Sequence, residues 1–145
     1  MIHKSEIIDT TKDYYLFDVI AMGAVRMTQS DKWKTNPNHP NPKYRQRKAV
    51  AEYFKFKTTI EYQKLSMKYE LGNTLDILFA IPMPDTWSEK KKKAMNGKPC
   101  LVKPDIDNLV KAFVDACKKN DSDVWWVKAE KRWARLGSVV VYKTE

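Results

Sequence analysis

The sequence predicts a small α+β fold, in which a mixed β-sheet is flanked by helices in the order β-α-β-α-α-β-β. Two observations support this class. Runs of β-branched and aromatic residues alternate with segments whose apolar residues recur every three or four positions. Breaks that contain Pro, Gly or Asn separate these segments. The 145 residues, 43% of them hydrophobic, suffice for one core, so we expect a single domain over residues 1–145.

The first half of the chain predicts a strand, a basic loop and a long helix. The run YYLFDVIAM, residues 14–22, is rich in strand-forming residues. The loop that follows contains three prolines, each preceded by Asn or His, and such steps interrupt both helices and strands. No Pro or Gly occurs in residues 44–69. Ala49, Tyr53 and Phe56 recur there at helical spacing, which predicts a long amphipathic helix.

The second half predicts two strands around two helices, and then a last strand. The run TLDILFAI, residues 74–81, alternates as a strand does. Ser88 is a favourable N-cap for a short lysine-rich helix, SEKKKKAM. A further helix is predicted over residues 105–118, where apolar residues line one face. Residues 124–133 and the run SVVVY, residues 138–142, read as strands on either side of a glycine turn, and we expect them to pair as a hairpin.

The charge of the chain favours a polyanionic partner. There are 27 Lys and Arg against 18 Asp and Glu, a net charge of +9, and residues 26–68 hold eleven basic and three acidic residues. This balance favours nucleic acid over an anionic membrane surface. No apolar run could span a bilayer, no secretion signal is visible, and Cys100 and Cys117 form no CxxC motif. We therefore expect reduced thiols, no membrane association and a cytoplasmic location.

Two acids, Asp105 and Asp107, stand at the start of the last predicted helix, and Lys111 follows one turn later. One interpretation is an ordinary helix start, in which Asp105 is the N-cap and Asp107 pairs with Lys111. The other is a Mg²⁺ site, because hard cations prefer carboxylate oxygens. Two acids alone bind weakly, so a third would come from the segment NDSDV after the helix, where Asp121 and Asp123 are the candidates.

The order of these residues matches a known family. KPDIDNLVKAFVDA, then NDSDV, then a strand that ends in Lys131, resembles the RusA family of Holliday-junction resolvases, the crossover junction endodeoxyribonucleases of phage or prophage type. That family has the block K/R-x-D-x-D-N-L-x-K-A-x-x-D-A, then D-D-x-Q-V, then a basic strand. Two positions depart from this pattern: Asn120 stands where Asp is usual, and Asp123 stands where Gln is usual.

The resemblance implies a RusA-like fold, a homodimer, and a nuclease that uses Mg²⁺, with Mn²⁺ as a substitute. Asp105, Asp107 and Asp121 would bind the metal and, with Lys111, would form the catalytic set. Asp121 is preferred to Asp123 because it keeps the family's three-residue spacing to the following valine.

The basic loop and the lysine-rich helix are candidates for contacts to DNA phosphates, which provide affinity without reading sequence. Trp33 and Tyr44 in the loop could stack on unpaired bases. Trp125, Trp126 and Trp133 lie on a predicted strand, so we expect them in the core or at a dimer interface. The candidate phosphate contacts are Arg26, Lys32, Lys34, Lys43, Arg45, Arg47, Lys90, Lys91, Lys92 and Lys93.

The expected function is a Mg²⁺-dependent, structure-selective endodeoxyribonuclease that resolves four-way junctions by paired symmetric nicks, in DNA recombination and repair. We expect it to act in the cytoplasm of a bacterial or phage-infected cell. A two-fold homodimer would match the two-fold symmetry of the junction. Two alternatives are a non-catalytic basic DNA-binding module and a metal nuclease that acts on other branched DNA or on RNA.

Overall fold

The computed structural model describes residues 7–144, and its elements follow the predicted order. It contains a four-stranded mixed sheet and three α-helices, which confirms the predicted α+β class. None of the helices in the described residues is both long and apolar enough to cross a membrane. The elements are β1 (Tyr14–Phe17), α1 (Lys48–Met67), β2 (Thr74–Pro82), α2 (Glu89–Met95), α3 (Ile106–Cys117), β3 (Trp126–Ala134) and β4 (Ser138–Tyr142).

Two boundaries differ from the sequence prediction by four residues or more. β1 ends at Phe17 because the backbone of Asp18 turns away to bind the side-chain amide of Gln63 on α1. Asp18 N donates to Gln63 Oε1 at 2.7 Å, and Gln63 Nε2 donates to the Asp18 carbonyl oxygen at 2.9 Å. α1 begins at Lys48 rather than at residue 44, since Pro42–Tyr44 forms a separate 3-10 turn.

The strands lie in the order β1-β4-β2-β3. β2 and β3 are parallel, whereas β4 is antiparallel to both β1 and β2. β1, β2 and β3 therefore run in one direction, and the helices form crossover connections between them. The prediction that residues 124–133 and 138–142 form a hairpin is wrong, because β2 lies between β3 and β4 and pairs with both.

Residues 135–137 carry the chain from β3 to β4 across the end of β2. Pro82 ends β2 at this point, and Met83 N donates a hydrogen bond to the Ala134 carbonyl oxygen at 2.9 Å. A Cβ atom on Gly137 would lie 3.1 Å from Cδ of Pro82. Glycine therefore allows the connection to pass close over the end of β2, which a hairpin between β3 and β4 would not require.

The two faces of the sheet carry separate apolar clusters. On one face, α1 and α3 cover inward residues of all four strands, and the rings of Phe113 and Phe17 meet edge to face with centroids 5.3 Å apart. The opposite face carries a smaller cluster of Ile8, Leu78, Val140 and Tyr142. Four residues of the apolar face predicted for α3 are buried: Leu109, Phe113, Val114 and Cys117.

α3 runs from one end of the strands to the other. We call the edge of the sheet at which β1, β2 and β3 end the carboxyl edge, and the edge at which they begin the amino edge. Lys131, near the end of β3, donates a hydrogen bond from Nζ to the Pro104 carbonyl oxygen at 2.7 Å, just before α3. Lys118, just after α3, donates one to the carbonyl oxygen of Gly72 at 3.1 Å, just before β2. α3 therefore begins at the carboxyl edge and ends at the amino edge.

Candidate active site

Asp105 is the N-cap residue of α3, yet its carboxylate accepts no capping hydrogen bond within the described chain. An N-cap Asp normally accepts one from a backbone N–H of the first helical turn. Asp105 is instead exposed at the carboxyl edge. The simple capping interpretation does not account for this arrangement, whereas a hard cation, which prefers carboxylate oxygens, fits it.

Asp107 lies exposed in the first turn of α3, where its Oδ1 accepts a hydrogen bond from Asn108 N at 2.9 Å. The expected ion pair with Lys111 is not the one that forms, because Lys111 Nζ lies 3.5 Å from Asp115 Oδ2. The Lys111 side chain is 62% exposed, and surface pairs of this kind contribute little to stability. Lys111 can therefore leave Asp115 for an anionic ligand near Asp107 at low free-energy cost.

The second acidic segment contains one engaged carboxylate and one exposed carboxylate. Asp123 Oδ1 accepts a hydrogen bond from Lys118 Nζ at 2.7 Å. Asn120, which departs from the family pattern, accepts hydrogen bonds from the backbone N and Oγ of Ser122 and so forms an Asx turn. Asp121 is exposed, and its carboxylate accepts no hydrogen bond from the described residues. Of these two carboxylates, Asp121 is therefore the better candidate for a metal ligand.

Asp121 lies at the amino edge, far from Asp105 and Asp107. α3 has 12 residues, so at about 1.5 Å per residue it is roughly 18 Å long. Ligands of one Mg²⁺ ion lie within about 4 Å of one another, because each Mg–O bond is about 2.0–2.1 Å long. Within residues 7–144 of one chain, no three His, Cys, Asp or Glu side chains come close enough to hold a metal ion. A single chain thus brings together the two acids at the start of α3 and leaves Asp121 apart.

Asn108 ties the start of α3 to the start of the basic loop. Its backbone carbonyl accepts a hydrogen bond from Ala24 N, and its Nδ2 donates one to the Ala24 carbonyl oxygen, both at 3.2 Å. A Cβ atom on Gly23 would lie 2.5 Å from this Nδ2. We did not predict a role for Asn108 from the sequence. The sequence feature that accompanies this contact is Gly23, which lies 85 positions before Asn108. Local periodicity cannot connect two residues so far apart.

Lys131 holds the segment before α3 from the side of the sheet. It lies between Ala129 and Trp133 on β3, and strand alternation directs all three side chains to the face that the helices cover. Its Nζ donates hydrogen bonds to the carbonyl oxygens of Val102 and Pro104. The signal in the sequence was a charged residue at an inward-facing strand position.

Arg47, a predicted phosphate contact, is bound within the protein. Its guanidinium donates to both carboxylate oxygens of Asp31, which is only 3% exposed, and Thr28 donates two further hydrogen bonds to that carboxylate. The hydrogen bonds from Arg47 and Thr28 hold the pKa of the Asp31 carboxyl well below its usual range. Arg47 therefore links the start of α1 to the basic loop, independently of any contact with DNA.

Both basic segments reach the carboxyl edge, where α3 begins. Trp87, just before α2, packs on Trp133 near the end of β3 with ring centroids 5.0 Å apart, and Lys91 Nζ lies 4.1 Å from the centroid of the Trp87 ring. The basic loop reaches this edge through the contact between Ala24 and Asn108. Apart from Arg47, the candidate phosphate contacts are exposed at Arg26, Lys32, Lys43, Arg45, Lys90, Lys91 and Lys93, and half-buried at Lys34 and Lys92.

The aromatic residues divide between core and surface. Trp133 is buried, as expected, whereas Trp125 is 75% and Trp126 40% exposed at the start of β3. Trp33 and Tyr44 are 80% and 53% exposed in the basic loop, where a nucleobase could reach them.

A comparison with protein families agrees with this arrangement. The family described as Endodeoxyribonuclease RusA matches residues 24–142, a span that includes the basic loop, α2, the acids of α3 and all of β3 and β4. Comparisons with curated proteins and with solved structures found no match. The chain therefore belongs to the RusA family of endodeoxyribonucleases, enzymes that act on Holliday junctions.

Proposed function

We propose that this chain is a Mg²⁺-dependent Holliday-junction resolvase that acts as a homodimer and cuts by paired symmetric nicks in DNA recombination and repair. The observation that carries the proposal is the placement of three exposed carboxylates. Asp105 and Asp107 lie at one end of α3, and Asp121 lies at the other. A second chain in the opposite orientation would place its Asp121 beside the first chain's Asp105 and Asp107.

The exposed edge of the sheet supports such an orientation. β3 is an edge strand, and only its far end has an outer neighbour among the described residues, at the bridge between Pro99 and Arg132. The start of β3, which has no such outer neighbour, exposes apolar surface at Trp125, Trp126 and Val127. Two β3 strands that associate about a two-fold axis run antiparallel. The amino edge of one chain then lies next to the carboxyl edge of the other.

Residues of both chains would then build each site. Asp105 and Asp107 of one chain and Asp121 of the other would hold Mg²⁺, which when bound neutralises phosphate charge and makes a coordinated water more acidic. Lys111 would leave Asp115 and donate a hydrogen bond to a phosphate oxygen as negative charge develops there. The oxygen of water forms the new bond to phosphorus, and the bond from phosphorus to the 3′ oxygen breaks. Two such sites, related by the two-fold axis, would make the paired nicks.

The basic segments would bring the junction to these sites. Arg26 and the exposed lysines of the loop and of α2 flank the start of α3 and would contact backbone phosphates. Trp33 and Tyr44 would stack on bases that are unpaired at the crossover. Arg47 would act chiefly through Asp31, by keeping the loop in place.

The test is cleavage of labelled four-way junctions with and without Mg²⁺ by the wild type, Asp105→Asn and Asp107→Asn, with junction binding measured in parallel. We expect binding by all three proteins, and metal-dependent paired nicks by the wild type alone. Normal cutting by either variant would end the metal-site proposal, and binding without any cutting by the wild type would leave a DNA-binding module. Duplex, single-stranded and RNA substrates at matched salt identify a nuclease of different selectivity.

A further inference from the structure

We infer that Lys131 is a positioning residue for the metal site, because its ammonium group holds the segment from which the Asp105 carboxylate projects. The inference rests on the proposed function, in which Asp105 is a metal ligand. It adds a residue that touches neither the metal nor the DNA and that nevertheless sets the affinity for the metal.

Lys131 forms two side-chain hydrogen bonds and one backbone hydrogen bond with the segment before α3. Its Nζ donates to the carbonyl oxygens of Val102 and Pro104, the latter at 2.7 Å, and Asp105 is the next residue. The backbone of the same residue adds a third connection, since the Lys131 carbonyl accepts a hydrogen bond from Cys100 N at 3.0 Å. Residues 100–104 are thereby fastened to the sheet at three points, all of them on Lys131.

Asp105 needs such support because its side chain forms no capping hydrogen bond, so the position of its backbone decides where the carboxylate lies. As an N-cap without a capping hydrogen bond, its carboxylate has no partner in its own helix. Mg²⁺ demands nearly ideal octahedral geometry, so a ligand whose backbone wanders binds it poorly. A half-buried ammonium with two carbonyl partners restricts that backbone before the metal arrives.

The sign of the effect separates positioning from simple charge. If Lys131 acted only as a nearby positive charge, its removal would relieve repulsion and tighten the binding of a divalent cation. If it positions Asp105, its removal weakens that binding. A merely structural role would lower thermal stability and leave the metal affinity of the folded protein unchanged.

The experiment measures Mn²⁺ binding by electron paramagnetic resonance on the intact protein, together with the Mg²⁺ dependence of kcat and the Kd for junction DNA without metal. The variants are Lys131→Met, which keeps the side-chain length and removes the donors, and Lys128→Met, which changes an exposed lysine on the opposite face of β3. Lys131→Met should raise the Kd for Mn²⁺ and the half-saturating Mg²⁺ concentration at least fivefold and should lower kcat. The Kd for junction DNA should stay within about twofold, and Lys128→Met should match the wild type.

Unchanged or tighter Mn²⁺ binding by folded Lys131→Met would overturn the inference. If that variant does not fold, Lys131→Arg decides, because a planar guanidinium cannot place its donors as an ammonium does. A weaker Mn²⁺ affinity for Lys131→Arg supports the inference, and an affinity equal to wild type overturns it. Asp105→Asn distinguishes failure of this inference from failure of the proposed function. Normal Mn²⁺ binding by Asp105→Asn would rule out the metal site itself. Loss of Mn²⁺ binding in Asp105→Asn, together with normal Mn²⁺ binding by Lys131→Met, would rule out only the role of Lys131.

Discussion

Arg47 and Asp31 form a two-point ion pair at the base of the basic loop, with Nε to Oδ1 at 3.0 Å and Nη2 to Oδ2 at 2.7 Å. The same guanidinium donates from Nη2 to the Arg26 carbonyl oxygen at 3.1 Å. Arg47 therefore connects the start of α1 to the two ends of a short stretch of loop. This arrangement makes the order of the loop depend on one planar side chain.

Arg47→Lys should loosen the loop, because an ammonium cannot reproduce the two parallel hydrogen bonds to Asp31. We expect trypsin to cut after Lys32, Lys34 or Lys43 several times faster than in the wild type, and junction affinity to fall a few-fold. The control is Lys48→Arg, since the Lys48 side chain is 90% exposed and forms only a surface pair with Glu52. Equal digestion rates for Arg47→Lys and the wild type would show that the pair does not order the loop.

Gly23→Ala should disturb the start of α3. The new Cβ would lie 2.5 Å from Asn108 Nδ2, so the two hydrogen bonds between Asn108 and Ala24 must shift. We expect the variant to lose about 1–3 kcal/mol of unfolding free energy, as overpacking usually costs, and to lose cleavage activity. Gly72→Ala is the matched control, because its Cβ would meet no atom within 4 Å. Equal stability and activity of the two variants would show that the contact between Asn108 and Ala24 does not support the start of α3.

The salt dependence of junction binding tests the basic surface of α2. Lys90→Gln with Lys93→Gln removes two exposed charges at the carboxyl edge. The slope of log K against log salt should become shallower by about 0.9 for each DNA phosphate that the variant no longer neutralises. Lys55→Gln with Lys68→Gln removes the same charge from α1 and its C-cap, and should leave the slope nearly unchanged. Identical slopes for the two double variants would mean that net charge, and not the position of α2, drives binding.

Stability at alkaline pH should report the burial of Cys117. Burial raises the pKa of this thiol to about 12 against the opposing effect of Lys64 and Lys118, whereas its ordinary value is 9.0. The folded state holds the proton more tightly, so this contribution is complete below pH 9 and is lost as the pH rises from 9 towards 12. The contribution of Cys117 to the unfolding free energy should fall by at most about 1.4 kcal/mol per pH unit in that window.

Urea unfolding of the wild type and Cys117→Ala at several pH values between 8 and 11 measures this contribution. The free energy of the wild type should fall more steeply. Burial also raises the pKa of Tyr69, and both proteins share this effect apart from the smaller contribution that the Cys117 thiolate makes to it. Parallel slopes would contradict the assignment to Cys117.

The elements with strong local signals could be predicted from the sequence. α3 shows a clear apolar stripe, and Ser88 caps α2 by accepting a hydrogen bond from Lys91 N, as its position before Glu89 predicts. The pairing of β4 was missed because alternation identifies a strand without identifying its neighbours. The short connection through Gly137 is compatible with a hairpin and with a passage over Pro82, and only the packing of β2 separates the two.

The candidate site divides in the same way. Asp105, Asp107 and Lys111 are close in sequence on one helix, so their proximity follows from helical geometry. The position of Asp121 depends instead on the length and direction of α3. The roles of Lys131 and Asn108 depend on contacts with residues 27 and 84 positions away, which local patterns do not specify.

The most direct test of the shared metal site mixes two inactive proteins, Asp107→Asn and Asp121→Asn, under conditions that exchange subunits. If Asp105 and Asp107 of one chain share a metal with Asp121 of the other, a mixed dimer has one site with both changes and one intact site. The mixture should then nick one strand of a four-way junction, although each protein alone cuts neither strand. No nicking by a mixture that demonstrably contains mixed dimers would contradict the shared site.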